Sequence, residues 1–198
     1  PDMLYGRVLR PPSYGARLTS IDLSAAESMD DVIVLRDGDF VGFAAPTLHQ
    51  ATAALETAAK TASWETISHP SSQNIHAYLE EHAQWDRARP SLRGSLDQGL
   101  AEAAETLQAT YTLAYIQHVP MEPRAGVAEW HDGTLTVWAG CDGPYRARAD
   151  LALLCDIPVE RVRVIIPDMG GGFGGKHTAD AALEAARLAR AAGRPVCV

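Results

Sequence analysis

An α/β fold, in the broad sense that includes α+β, is predicted by three observations. Two β-hairpin signals are separated by an alanine-rich stretch at helical spacing and a polar connector, and a glycine run follows a strand pattern and precedes a helix pattern. At 198 residues, with 46% hydrophobic and 21% charged residues, the chain is long enough and apolar enough to bury a core. Disordered, collagenous and fibrous classes are excluded.

The elements follow in order along the chain. Ile33 to Leu35 and Phe40 to Ala44 are β-rich runs around Arg36-Asp37-Gly38-Asp39, a hairpin pattern. Pro46-Thr47 opens a helix to about Ser63, with Thr47 as N-cap and Leu48, Ala51 and Leu55 at helical spacing. From His69 to Ser95 the composition turns polar with little periodicity, which predicts a connector with a short helix around His76 to Gln84. Leu96 to Glu105 is amphipathic, and Leu107 to Ile116, rich in Thr, Tyr and Ile, predicts a strand. Gly126 to Trp130 and Leu135 to Ala139 flank His131-Asp132-Gly133-Thr134, the second hairpin, whose Asp-Gly pair supplies positive φ. Tyr145 to Cys155 is helical by period and Val162 to Ile166 alternates as a strand. Beyond the glycines a helix runs from Thr178 or Asp180 to Ala192, closed by Gly193, and Arg194 to Val198 reads as the start of a further strand.

Charge and composition narrow the partners. Seventeen Lys plus Arg against twenty-five Asp plus Glu give a net charge of -8, which argues against binding nucleic acid or anionic lipid. No apolar run is long enough to span a bilayer, and the first residues lack the basic and apolar regions of a secretion signal. The cytoplasm is therefore the expected compartment, with the periplasm as the alternative. Cys141, Cys155 and Cys197 are odd in number and widely spaced, so buried reduced thiols are expected rather than a disulfide framework, a zinc site or an iron-sulfur cluster. His118 and Glu122 stand four apart, but Pro120 and Pro123 exclude a shared helical face for metal ligation.

The segment Met169 to His177 carries the chemistry. Five glycines in the six positions 170–175 let a backbone approach a ligand or pack tightly, at an entropic cost that a plain turn would not require. Backbone N–H groups and a helix dipole at such a place can face an anion. Gly170-x-Gly172-x-x-Gly175 satisfies a dinucleotide fingerprint, yet the chain lacks room for the acidic residue expected on a second strand. Gly170 to Lys176 also follows a phosphate-binding loop until His177 stands where a Ser or Thr should hold magnesium.

Four segments together resemble the molybdenum-binding subunit of the xanthine dehydrogenase and aldehyde oxidase family. They are Leu4 to Pro12, His118 to Pro123, Arg161 to Asp168, and Gly170 to His177, in the family's order across nearly the whole chain. Gly-Lys-His-Thr before an alanine-rich helix is similar to the nicotinate and isoquinoline dehydrogenase branch. The resemblance implies an α/β hammerhead domain over 1–68, a connector over 69–95, and the first part of a molybdenum cofactor-binding α+β domain over 96–198.

The resemblance also implies roles. The amides of Phe173 and Gly174 would face the apical oxygen of molybdenum while Gly171 and Gly172 pack on the pterin, a neutral and preorganised arrangement. The family's apical glutamine falls on Asp142, 31 positions before Phe173, where a carboxylate replaces an amide donor. His177 takes the place of a purine-contacting glutamate, which implies a substrate contact and a substrate other than a purine. His118 and Glu122 would be buried hydrogen-bonding residues. The general-base glutamate and most of the dinucleotide site would lie outside this chain, so no catalytic residue is expected within it, nor a protein ligand to the metal.

The whole enzyme so implied oxidises an N-heterocycle or aldehyde with water as the oxygen source, using a molybdenum-pterin cofactor, molybdopterin cytosine dinucleotide. Its partners would be the remainder of the molybdenum subunit, as a separate chain or missing segment, and iron-sulfur and flavin or haem electron-transfer subunits. These residues alone are expected to be inactive. A non-catalytic binding or assembly module of the same fold, and a nucleotide-binding domain, are the alternatives.

Overall fold

In the computed structural model, which describes residues 2–84, 91 and 93–198, the chain forms two units. One comprises residues 1–67 and 117–198, the other 68–116. The expected mixed architecture is present. The first unit holds strands β1 (Leu4–Val8), β2 (Arg17–Ser20), β3 (Ile33–Asp37), β4 (Phe40–Ala45), β5 (Ser63–Glu65), β6 (Gly126–His131), β7 (Thr134–Ala139), β8 (Val162–Ile165) and β9 (Val196–Cys197). Seven of them form one sheet in the order β3-β4-β1-β9-β6-β7-β8, and β2 pairs with β5 in a second. Helices α1 (Ser24–Glu27), α2 (Leu48–Ala59), α5 (Pro144–Cys155) and α6 (Asp180–Ala192) complete this unit.

Local chemistry explains most elements. The hairpin β3–β4 turns on Gly38 at φ +61, and β6–β7 turns on Asp132 and Gly133 at φ +48 and +72. Two successive positive φ values match the twist of the flanking strands. Thr47 caps α2 as expected, its hydroxyl accepting from the Gln50 N–H at 3.2 Å. The helix stops at Ala59, and Ser63 belongs to β5, so the stretch read as helix to about Ser63 is shorter than its composition suggested. Gly193 closes α6 in the left-handed conformation, at φ +60.

Small residues set the layer spacing. Ala181, Ala182, Ala185, Ala186, Leu188 and Ala189 form the buried face of α6. A Cβ on Gly126 of β6 would lie 2.7 Å from the Ala182 backbone nitrogen, so helix and strand meet backbone to backbone. Leu4, Leu135, Val137, Leu151 and Val196 fill the larger of the two cores, which α5 and α6 cover. Phe43, Val41, Ala54 and Ala58 anchor the smaller one beneath α2. β9 lies between β1, which it meets in parallel, and β6, which it meets antiparallel.

The second unit contains α3 (Ile75–Glu81) and α4 (Leu96–Glu102), the latter capped by Ser95 accepting from the Gln98 N–H. Within the expected connector, residues 85–90 and 92 lie outside the described residues. The strand expected over Leu107 to Ile116 does not form. These residues have no ladder partner among the described residues, and Leu107 is 99% exposed. A strand needs a neighbour to take up its backbone groups, and propensity alone does not supply one.

Candidate functional site

β7 and β8 are parallel neighbours, from Leu135 beside Val162 to Trp138 beside Ile165. Parallel strands release their following loops at the same end of a sheet, where α/β folds collect their ligands. The turn Gly140 to Gly143 after β7 therefore meets the glycine loop after β8. The Asp142 N–H donates to the Lys176 carbonyl at 2.9 Å, and Asp142 Oδ2 lies 3.1 Å from His177 Nδ1. Both predicted residues thus sit together, with the Asp142 side chain 34% and the His177 side chain 70% exposed.

The loop is tied down at several points. Gly170 donates its N–H to Glu122 Oε2, and the Lys176 ammonium lies 3.4 Å from the same oxygen. Arg124 Nε donates to the Gly175 carbonyl at 2.9 Å, and the Gly175 N–H donates to Gly172 O at 2.7 Å. Phe173 at φ +52 and Gly174 at φ +93 form the apex, and neither N–H has a hydrogen-bond partner among the described residues. Phe173 itself is 76% exposed.

Packing within the protein accounts for several of the glycines. A Cβ at Gly170 would meet the Glu122 carboxylate at 2.7 Å, and one at Gly175 would meet His118 Cβ at 3.0 Å. At Gly172 a Cβ would stand 3.4 Å from Asp142 Oδ1. The backbone amides of the apex, rather than empty space beside the glycines, are what the loop offers a ligand.

His118 is exposed, contrary to the buried role expected of it, because the segment 117–123 lies across the glycine loop instead of entering the core. Glu122 does hydrogen-bond, but half-exposed. Its carboxyl is held below the usual range, first by the Gly170 N–H and with a further contribution from the charge of Lys176, against an opposing effect of burial that is weaker than the Gly170 contact. Sequence reasoning missed Lys176 as a site residue. Only 1% exposed, it is the loop's sole cation, and a single lysine among glycines facing a distant Glu-Pro pair is the signal that could have marked it.

The three cysteines are free, with Cys141 and Cys155 buried and Cys197 partly so. Burial pushes each thiol upward, away from the thiolate needed for metal binding. Among the described residues no group of three or more His, Cys, Asp or Glu is placed to hold a metal ion. The N-terminus of α6 holds its own Asp180 carboxylate, which accepts from Thr178 Oγ1 at 3.0 Å and pairs with Arg124 at 3.4 Å. That occupancy disfavours a phosphate at this helix end. A separate cleft of about 680 Å³ lies beside α6, lined in part by Arg7, Arg10, Arg124 and Arg187. Glu184 pairs with Arg10 there, Asp180 with Arg124 and Asp37 with Arg187, while Arg7 Nε donates to the Thr52 hydroxyl at 3.3 Å. No described helix is long and apolar enough to cross a membrane.

Comparison with known proteins finds relatives that match the whole chain. The nicotinate dehydrogenase of Pseudomonas putida has a subunit that is 30% identical over 100% of this chain, which covers 17% of that protein. The aldehyde oxidoreductase molybdenum-binding subunit PaoC of Escherichia coli is 32% identical, again over 100% of this chain and 30% of the relative. Quinoline 2-oxidoreductase from Pseudomonas putida superposes with a TM-score of 0.75 at 25% identity, covering 98% of this chain and 30% of that one. The chain spans less than a third of the length of each. Residues 79–198 match the family model of the molybdopterin cofactor-binding domain, and on that match the chain belongs to this family.

Proposed function

We propose that this chain supplies the glycine-loop wall of the cofactor site in a molybdenum hydroxylase catalytic subunit, one that oxidises an N-heterocycle or an aldehyde with water as the oxygen source. The observation that carries the reading is the pair of unpartnered apex amides, Phe173 and Gly174, on a loop whose two ends are tied to other segments. Fixed neutral donors suit an anionic ligand without adding a titrating group. The names of the relatives support the substrate classes, since they include a nicotinate dehydrogenase and an aldehyde oxidoreductase.

The molybdenum-pterin cofactor would supply the redox chemistry at this site. The chain's own residues bind and orient. Phe173 and Gly174 present N–H donors, whereas Gly171 and Gly172, whose Cβ positions face the Phe173 ring and the Lys176 and Asp142 side chains, serve the packing of the loop on itself. Asp142 is the residue that fits least simply, because a carboxylate beside an anionic ligand is repulsive. Its contact with His177 supports a reading in which Asp142 is drawn to the imidazole and His177 faces the substrate.

The finer assignments belong to the same proposal. The cofactor is the cytosine dinucleotide form, the partners are the remainder of the molybdenum subunit with iron-sulfur and flavin or haem subunits, and the compartment is the cytoplasm. Residues 1–68 form a hammerhead-like segment and 96–198 the first part of the cofactor-binding domain, joined by a connector over 69–95. Strands from both sides of that connector share the one seven-stranded sheet. A non-catalytic assembly module of the same fold is the second reading, and Asp142 is the observation that favours it.

The test is native mass spectrometry of the chain expressed with a polypeptide carrying the rest of a molybdenum subunit, with molybdenum quantified on the same sample. A complex holding about one molybdenum is expected, as each site takes one cofactor. A stable complex without molybdenum would overturn the catalytic reading in favour of the assembly module.

A further inference from the structure

We propose that Glu122 is the positioning residue of the glycine loop, closing residues 170–176 into a ring by holding both ends on one carboxylate oxygen. Glu122 Oε2 accepts the Gly170 N–H at the start of the loop and faces the Lys176 ammonium, 3.4 Å away, at its end. The two contacts come from residues six positions apart in the sequence, and between them stand only glycines and Phe173. Such a stretch has no side-chain packing of its own to choose one backbone shape from many.

Two further observations make the closure specific. Gly170 cannot carry a side chain, because its Cβ would lie 2.7 Å from Glu122 Oε2 and 2.9 Å from Glu122 Cβ. The glycine is therefore fitted to the glutamate. Lys176 Nζ is fully buried and makes no hydrogen bond of good geometry, so Glu122 is the one carboxylate within ion-pair distance of it among the described residues. A buried cation with a single counter-charge stays where that charge is. With Lys176 fixed, its carbonyl receives the Asp142 N–H and its neighbour Gly175 can reach back to Gly172 O. The apex conformation at Phe173 and Gly174 follows from this anchoring.

The inference deepens the proposed function and rests on it in one respect, that the apex faces the cofactor. The clamp itself is testable on the 198-residue chain by amide hydrogen exchange. Gly170 and Gly175 report on it separately, since Glu122 protects the first and Gly172 O the second. Glu122→Ala is expected to accelerate exchange at both amides by about tenfold or more, with β6 and β7 amides unchanged. A merely local hydrogen bond would free Gly170 alone, and wild-type protection at Gly175 would overturn the proposal.

Should Glu122→Ala also open β6 and β7, the double variant Glu122→Gln with Lys176→Met decides, because it removes both charges and leaves an amide oxygen for Gly170. It is expected to keep Gly170 slow and make Gly175 fast, and a slow Gly175 would overturn the clamp. Molybdenum content of the Glu122→Ala complex separates the two proposals. A freed loop with lowered molybdenum content supports both, whereas a freed loop with unchanged content upholds the clamp and overturns the cofactor-facing role of the apex.

Discussion

Asp142 and His177 meet through Oδ2 and Nδ1 at 3.1 Å, which joins the turn after β7 to the end of the glycine loop after β8. Neither residue is near the other in sequence. Their contact exists because two parallel strands release their loops on one side of the sheet.

Water reaches both side chains, so the pair contributes little to stability. Asp142→Ala is expected to lower the free energy of unfolding by less than about 1 kcal/mol in urea denaturation. Asp142→Gln replaces the carboxylate by an amide that can donate, and is expected to slow the loss of molybdenum from the complete complex during dialysis against a chelator. Loss as fast as in wild type, or faster, would count against Asp142 lying at the apical face.

Gly126 and Gly38 separate two reasons for glycine. Gly126→Ala drives a methyl group into the backbone of α6 and is expected to cost at least about 1–3 kcal/mol, with no relief from asparagine. Gly38 has no atom within 4 Å of its Cβ position but holds φ +61. Gly38→Ala is expected to cost about 1 kcal/mol, and Gly38→Asn less, because asparagine tolerates the left-handed region. Equal costs for both substitutions at Gly38 would contradict this assignment of strain.

The depressed carboxyl of Glu122 links the loop to acid. A carboxyl with a lowered folded-state pKa stabilises the fold above its ordinary value of 4.5 and loses that contribution as pH falls through the lower folded value. Carbon-detected NMR titration is expected to place Glu122 below 4.5, and Lys176→Met to move it upward while leaving it depressed, since the Gly170 N–H remains. A titration at or above the ordinary value would remove the electrostatic half of the clamp.

Thiol chemistry offers an independent check on the core. Under native conditions at mildly alkaline pH, Cys141 and Cys155 are expected to resist iodoacetamide, Cys197 to react slowly, and all three to react after unfolding. Rapid native alkylation of Cys141 would mean that the turn after β7 opens in solution.

Features decided by neighbouring residues were legible in the sequence. The Asp132-Gly133 turn, the Thr47 cap and the Gly193 closure each depend on a few adjacent positions, and each stands where the residues indicated. Pairings between distant segments were not. The sheet of β2 and β5 brings Arg17 to Glu65, and no local pattern announces it. Leu107 to Ile116 carries a strand composition without a neighbour, and His118 was misjudged because its segment crosses a loop far along the chain. In the site, the glycines and His177 stood out by type, whereas the contact of Glu122 with Lys176 depends on the tertiary route of the chain.

The place of β9 has a consequence for how the polypeptide acquires its structure. Val196 pairs with Leu4 and Cys197 with Tyr5, while Val127 and Ala128 take the other side of the same short strand. The centre of the sheet therefore stays incomplete until residues 196–197 have left the ribosome. Closure of such a large loop is slow, and the two hairpins on either side must wait with open edges. During synthesis those edges are the surfaces most exposed to misassembly, and chaperone demand should peak just before β9 emerges.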